Sequence, residues 1–229
     1  MREIVFDTET TGLSFSGGDR LVEIGCVELF NRCETGKTFH RYINPGRSMP
    51  AEAQAIHGLS EAFLSDKPRF AMVVEELLEF LGDCPLIAHN ASFDFGFVSG
   101  ELELCGHPRL GAHRMIDTVV MARQRHPGAK HSLDALCVRY GVDRSHRVLH
   151  GALLDAQLLS QVYVELCGGR QIGLGLAIEA PVIAEVSAST PRVVRRPPRH
   201  FAPSPEETAR HAAFLTSIKE PLWGAPAFG

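Results

Sequence analysis

The chain has no surplus of positive charge: 23 lysines and arginines stand against 27 acids in 229 residues, a formal net charge of −4. Phosphate contacts normally come from a basic surface. The balance therefore argues against a protein that grips nucleic acid unaided, and leaves room for one that delegates the grip to cations and to a partner. Cys-x-x-Cys pairs are also missing. The six cysteines stand at 26, 33, 84, 105, 137 and 167, and this spacing makes zinc an unlikely guest. Several lie in apolar contexts such as Ile24-Gly25-Cys26-Val27, and all are expected to be buried, reduced thiols of a cytoplasmic protein. Absent, too, are the basic, apolar and small-residue succession of a signal peptide and any apolar run of the roughly 18–20 residues that a membrane span needs. Neither export nor membrane insertion is expected. What is present, 45% apolar residues, suits a soluble protein with one domain and a tail.

The most informative string is Asp7-Thr8-Glu9-Thr10-Thr11, which follows the apolar run Ile4-Val5-Phe6. In a strand, side chains at i and i+2 share a face, so the two carboxylates point the same way, roughly 6–7 Å apart along the chain. A hard divalent cation takes oxygen ligands, commonly one or two carboxylates with phosphate oxygens and water. The pair can be half of a metal site or, by itself, a solvated strand end. Two later segments could supply the other half. Pro85 to His89 reads as a short buried strand, after which Asn90 can cap a helix carrying Asp94 in its first turn. The carboxyl end of a strand in an α/β sheet is where ligands gather. The third segment, His150-Gly-Ala-Leu-Leu-Asp155-Ala, opens a helix that is apolar on most of its circumference. An aspartate there needs a partner, since an unpaired buried charge is costly; a cap or a buried salt bridge would also serve.

Residues 2 to 7, about 20 to 30 and about 37 to 44 read as three strands of an antiparallel meander. Helical patterns follow at about 69–82, 91–105, 117–126, 132–140 and 151–167, with short strands near 85–89 and 113–116. Ser132 and Asp117 look like N-caps, so Asp117 is read as structural. The mixture predicts a three-layer α/β domain over residues 1–169. From 170 to 203 the chain loses periodicity, and Pro191-Arg-Val-Val-Arg-Arg-Pro-Pro-Arg199 has the composition of an extended linker. In the segment 204–229, Ser204-Pro205-Glu206-Glu207 starts a helix of roughly 15 residues. His211, Phe214, Leu215 and Ile218 form its apolar stripe, which Leu222 and Trp223 extend. Such a stripe suits docking in a partner's groove or folding back onto the domain.

Taken in order, Asp-x-Glu, Asp94 and His-x₄-Asp resemble the three motifs of the DEDD nucleases. The histidine five places before the last aspartate marks the histidine branch; the tyrosine branch puts its base four places before, where this chain has Gly151. Within that branch IVFDTETTG, IHG at 56–58, AHNASFDFGF, HSLDALC and LHGALLDAQLL are most similar to the family of proofreading epsilon subunits of bacterial DNA polymerase III, from Arg2 to about Gly169. The resemblance implies a ribonuclease H-like fold with a mixed central sheet. It also implies 3′→5′ hydrolysis of DNA to 5′-monophosphates with two divalent ions, Mg²⁺ or Mn²⁺, held by Asp7, Glu9, Asp94 and Asp155, with His150 as the base. Thr10, Thr11, Gly12, Leu13, His57 and Phe93 match positions that contact the terminal nucleotide. The segment Gln171-Ile-Gly-Leu174-Gly-Leu176 resembles a sliding-clamp peptide, with Gln171, Leu174 and Leu176 as anchors. The family's tail binds the polymerase catalytic subunit, which assigns Phe214, Leu215, Ile218 and Trp223 to that contact, and in some relatives a small accessory subunit binds the catalytic domain. A freestanding DEDD nuclease that trims RNA or short oligonucleotides, and an inactive binding scaffold, remain the alternatives.

Overall fold

The computed structural model of the chain describes residues 1–145, 147, 149–169 and 202–219. The chain divides into two units, Met1–Leu176 and Ala177–Gly229. Three strands open the first unit: β1 (Arg2–Thr10), β2 (Leu21–Phe30) and β3 (Cys33–Tyr42). They pair antiparallel in sequence order. Strand β4 (Leu86–Ala88) then lies parallel to β1, and β5 (Met115–Asp117) lies parallel to β4, giving the sheet order β3-β2-β1-β4-β5. The helices are α1 (Ala51–His57), α2 (Glu61–Leu64), α3 (Phe70–Leu81), α4 (Ala91–Leu104), α5 (Thr118–Arg125), α6 (Leu133–Tyr140) and α7 (Ala152–Leu166).

Strand β1 is central and covered on both faces, which explains its unbroken apolar opening. Ile4 and Phe6 join the core built with α3 and α4 through Val74, Leu77, Phe95 and Val98. Val5 joins the opposite core, with Leu136 of α6 and Leu158, Leu159 and Val162 of α7. Each fully buried Leu, Ile or Phe contributes roughly 1.5–3 kcal/mol of transfer free energy. The same alternation carries the chemistry. Thr8 continues the α4 face, while Asp7 and Glu9 continue the α7 face.

Glycine sets how closely α7 approaches the sheet. Gly25 of β2 stands directly opposite Asp7 in the register, and a methyl group there would overlap the backbone of Ala152 and Leu153 at the start of α7. The absent side chain lets that helix start press onto the sheet, and Asp155 lies only one turn further on. Because backbone is what the added carbon would meet, we expect Gly25→Ala to cost about 1–3 kcal/mol and to lower any activity that depends on the placement of Asp155 and His150. Denaturant midpoints and turnover would check this; unchanged activity at full stability would contradict it.

Several expectations require correction. Strand β1 runs to Thr10 instead of ending near residue 7, because pairing with β2 continues through Glu9↔Glu23 and Thr10↔Leu21. The carboxylate pair thus lies inside a strand, with Glu9 9% exposed and Asp7 half-buried, and is no solvated end. Strand β3 starts at Cys33 instead of 37, since Asn31 and Arg32 both adopt positive φ, 52° and 65°, in a tight two-residue turn. Helices α1 and α2 were not anticipated; they are too short to establish a period. Asn90 precedes α4, but its backbone is left-handed and its side chain makes no capping bond. The cysteines are all unpaired, yet Cys33 is exposed and Cys84, Cys105 and Cys167 are only half-buried. Ser132 and Asp117 do cap α6 and α5, accepting from the backbone N–H of Ala135 and Val119.

In the second unit, α8 (Pro205–Thr216) begins with a complete capping box between Ser204 and Glu207, with Pro205 in the first turn. It buries no residue. Phe214 is exposed, while Leu215 and Ile218 are half-buried. Gln171, Leu174, Leu176 and Trp223 lie outside the described residues. No helix among the described residues is long and apolar enough to cross a membrane.

Candidate active site

The carboxyl ends of the parallel strands β1 and β4 and the starts of α4, α6 and α7 enclose a cleft of about 350 Å³. Asp7, Glu9, Asp94, His150 and Asp155 all line it. The five residues singled out from the sequence therefore converge although the last two lie more than 140 positions from the first.

Each acid arrives from a different layer. Asp7 and Glu9 project from β1 toward α7. Asp94 comes from the first turn of α4 on the other side of the sheet and accepts a 2.6 Å hydrogen bond from the Thr8 hydroxyl. Asp155 lies in the first turn of α7, its side chain 4% exposed. Ligand atoms of Glu9, His150 and Asp155 all fall within 4.8 Å of one another, a grouping that puts the histidine beside the acids and does not include Asp7 or Asp94.

Burial, and then the neighbouring carboxylates Asp94, Glu9 and Asp155, push Asp7 well above the usual carboxylate range. Glu9 rises to about 8, first through burial and then through Glu23, its cross-strand partner, and Asp155. Asp94 rises to about 7 through burial, partly offset by its hydrogen bond from Thr8. Such a cluster favours bound protons or bound cations. Its all-oxygen, multiply anionic donors fit hard divalent ions.

This has a measurable consequence in the metal-free protein. Acids that hold protons more tightly when folded contribute stability that is present at low pH and lost as pH rises through about 7 and then about 8. Burial holds His57 and His89 below their ordinary value, which acts in the opposite sense only around and below about pH 6.5. We therefore expect the melting temperature in EDTA to fall between about pH 6.5 and 8.5, and Glu9→Gln or added Mn²⁺ to flatten that fall. A rise over the same window would contradict the electrostatic reading.

His150 is half exposed. Its Nδ1 lies 3.2 Å from Asp155 Oδ2 and 2.8 Å from Arg147 Nη2. Its backbone N–H donates to the Ile56 carbonyl at the end of α1, and the neighbouring Leu149 packs against Gly58. The Ile56-His57-Gly58 string thus seats the loop that presents His150. His57 itself is buried, and its Nδ1 accepts from the Leu59 N–H at 3.0 Å. The neutral ring's proton is thereby placed on Nε2, where the Thr10 backbone favours a bound proton.

The other expected contact residues separate into two groups. Phe93 lines the acidic cleft and also a second cleft, with Leu13, Phe15, Phe97 and Gly100, so it joins the two. Leu13 is 86% exposed. Thr10 and Thr11 are buried and spend their hydroxyls locally: Thr10 donates to the Gly12 carbonyl, and Thr11 accepts from the Arg20 N–H. Gly12 packs against Asp19, whose carboxylate leaves no room for a side chain there. None of Thr10, Thr11, Gly12 and His57 lines the acidic cleft.

Sequence reasoning left other residues of the cleft wall unassigned, among them His89, Asn90, Asp134 and Arg147. His89 donates or accepts at Thr118 Oγ1 over 2.8 Å, Asn90 hangs by its N–H from Asp117, and Asp134 and Arg147 border Asp155. Arg147 grips Asp155 with two bonds, Nε to Oδ1 at 2.5 Å and Nη2 to Oδ2 at 2.7 Å. It sits in the aperiodic run Arg144-Ser145-His146-Arg147, where nothing in the sequence distinguishes it.

Fold and cleft together define a metal-dependent 3′→5′ exonuclease with a ribonuclease H-like sheet. The Exonuclease family matches residues 4–163. The DNA polymerase III subunit epsilon of Rickettsia conorii is 46% identical, the match spanning 95% of this chain and 96% of that one. Its counterpart in Escherichia coli is 40% identical over 98% of both. The chain belongs to the Exonuclease family and, within it, to the DNA polymerase III epsilon subunits. Among solved structures, exonuclease X in complex with 5′ overhanging duplex DNA is 27% identical and covers 72% of this chain and 91% of its own, with a TM-score of 0.58. The nuclease domain of 3'hExo, a DEDDh family member bound to rAMP, shares the fold at 16% identity and a TM-score of 0.63, covering 73% of this chain and 92% of its own.

Proposed function

We propose that this chain is the proofreading subunit of a bacterial replicative DNA polymerase, removing mispaired 3′-terminal nucleotides in the cytoplasm as 5′-monophosphates. The observation that carries this reading is the convergence of four carboxylates and one histidine in a single cleft within a chain that resembles epsilon subunits over nearly its full length. Asp7, Glu9, Asp94 and Asp155 would hold two divalent ions, Mg²⁺ or Mn²⁺. Bound there, such ions supply an activated water and charge for the departing 3′ oxygen. His150 takes the water's proton, a task suited to an imidazole at neutral pH. Exposed Leu13 and the ring of Phe93 offer apolar surfaces to the terminal bases, a contact that tolerates any sequence. Thr10, Thr11 and Gly12 shape the turn that brings backbone close to the nucleotide. The buried ring of His57, beside the Thr10 backbone, would complete the contact with the terminal nucleotide.

The tail would provide the attachment. Phe214, Leu215, Ile218 and Trp223 serve the polymerase catalytic subunit, Gln171, Leu174 and Leu176 a sliding clamp, and a small accessory subunit can sit on the exonuclease domain. The domain would then occupy 1–169, the linker 170–203 and the docking segment 204–229. Delegated binding also accounts for the chain's acidic balance. Full-length chain should co-purify with the polymerase catalytic subunit, and chain truncated at 169 should not. Capture by the truncated form, or none by the full chain, would return the freestanding nuclease to first place.

A further inference from the structure

Among the described residues lining the acidic cleft, Arg147 is the one permanent cation, and it occupies the atoms a metal would need. Arg147 is 9% exposed, and its fork takes both oxygens of Asp155, at 2.5 and 2.7 Å. The remaining end of the guanidinium, Nη1, donates to Asp134 Oδ1 at 2.7 Å. Asp134 is half exposed and is also held by Arg144 at 3.0 Å. The Arg147 side chain is therefore anchored outside the carboxylate cluster as well as inside it.

A bidentate guanidinium–carboxylate pair is among the stronger ion pairs in proteins, because two charge-assisted bonds are made in a fixed geometry. It satisfies both oxygens of Asp155. A divalent ion at Asp155 needs at least one of these oxygens, and its charge would lie close to the guanidinium. The two cations compete. We propose that Arg147 is the resident counter-cation of the metal-free site: it holds Asp155 by both oxygens and yields it when a divalent ion binds, while Asp134 keeps the side chain tethered at the cleft wall. This rests on the reading that Asp155 is a metal ligand.

In this arrangement Arg147 has two effects. It neutralises part of the carboxylate repulsion while metal is absent, so the empty cluster stays folded. It also weakens metal binding, since each ion must first break the fork. A purely structural Arg147, which held Asp155 in place for the ion, would do the opposite and strengthen metal binding.

Calorimetric titration of full-length protein with Mn²⁺ alone, without DNA, separates these cases. Arg147→Met should bind Mn²⁺ tighter by on the order of tenfold, while its melting temperature in EDTA falls. Arg147→Lys retains the charge but not the fork, and should also tighten binding, by roughly threefold. Arg144→Met removes an equal charge that touches Asp134 and not Asp155, and should change affinity by no more than about twofold. Unchanged or weaker Mn²⁺ binding by Arg147→Lys would overturn the proposal, as would tightening by Arg144→Met equal to that of Arg147→Met. Should Arg147→Met fail to fold, Arg147→Lys decides alone. Asp155→Asn reports on the underlying reading: if it left Mn²⁺ affinity intact, Asp155 would not be a ligand, and both readings would fall.

Discussion

Asp7→Ala combined with Glu9→Ala is expected to abolish 3′-end removal, by on the order of 10³-fold or more, while leaving the metal-free fold at least as stable as the parent. Most substitutions of buried residues do the reverse. These two differ because burial and mutual repulsion already hold the acids above the usual carboxylate range, so the native state carries their cost without metal. Removing both relieves that cost, as substitutions at functional sites often do. The stabilisation expected from a divalent ion such as Mg²⁺ or Mn²⁺, taken to bind the folded state only, should largely vanish with them. Melting curves in EDTA and in saturating metal give both quantities. A large loss of metal-free stability in the double variant would make these acids structural.

His150→Ala should lower kcat by about 10²–10⁴, the usual worth of a positioned general base, with KM and the metal-free melting temperature nearly unchanged. The ring is half exposed, and among the described residues its hydrogen-bond and ion-pair partners are Arg147 and Asp155, so its loss leaves no core cavity. The placement of its nitrogen within 4.8 Å of ligand atoms from Glu9 and Asp155 gives the experiment a second edge. A base can be lost without disturbing metal affinity, whereas a ligand cannot. Wild-type Mn²⁺ affinity with a collapsed kcat supports the base; a parallel loss of affinity would assign His150 to the metal instead.

The site was legible in the sequence where residue type and order carry the chemistry. Asp-x-Glu inside an apolar strand, an aspartate just past a second strand and His-x₄-Asp at a helix start each specify position as well as identity, and all five residues line one cleft. The cores were legible for a similar reason: runs such as Ile4-Val5-Phe6 bury on both faces of a covered strand. What escaped was set by tertiary context. Arg147 acquires its place from the chain's return past Asp155, eight residues along, and no local pattern records that. Gly25 matters because α7 lies on it. Helices α1 and α2 are too short for a period, yet the Ile56 carbonyl holds the His150 loop. The capping role expected of Asn90 failed because its backbone turns left-handed, leaving Asp117 to hold the Asn90 N–H.

The central claim is metal-dependent 3′→5′ removal suited to proofreading. Its most direct test is digestion of 5′-labelled single-stranded, paired and 3′-mismatched DNA beside RNA of equal sequence, in Mg²⁺, Mn²⁺ or EDTA. The account predicts stepwise shortening from the 3′ end only with metal, faster on mismatched than on paired DNA and faster on DNA than on RNA. Preference for RNA, or equal rates on paired and mismatched ends, would contradict the proofreading role, and cleavage that persists in EDTA would contradict the site itself.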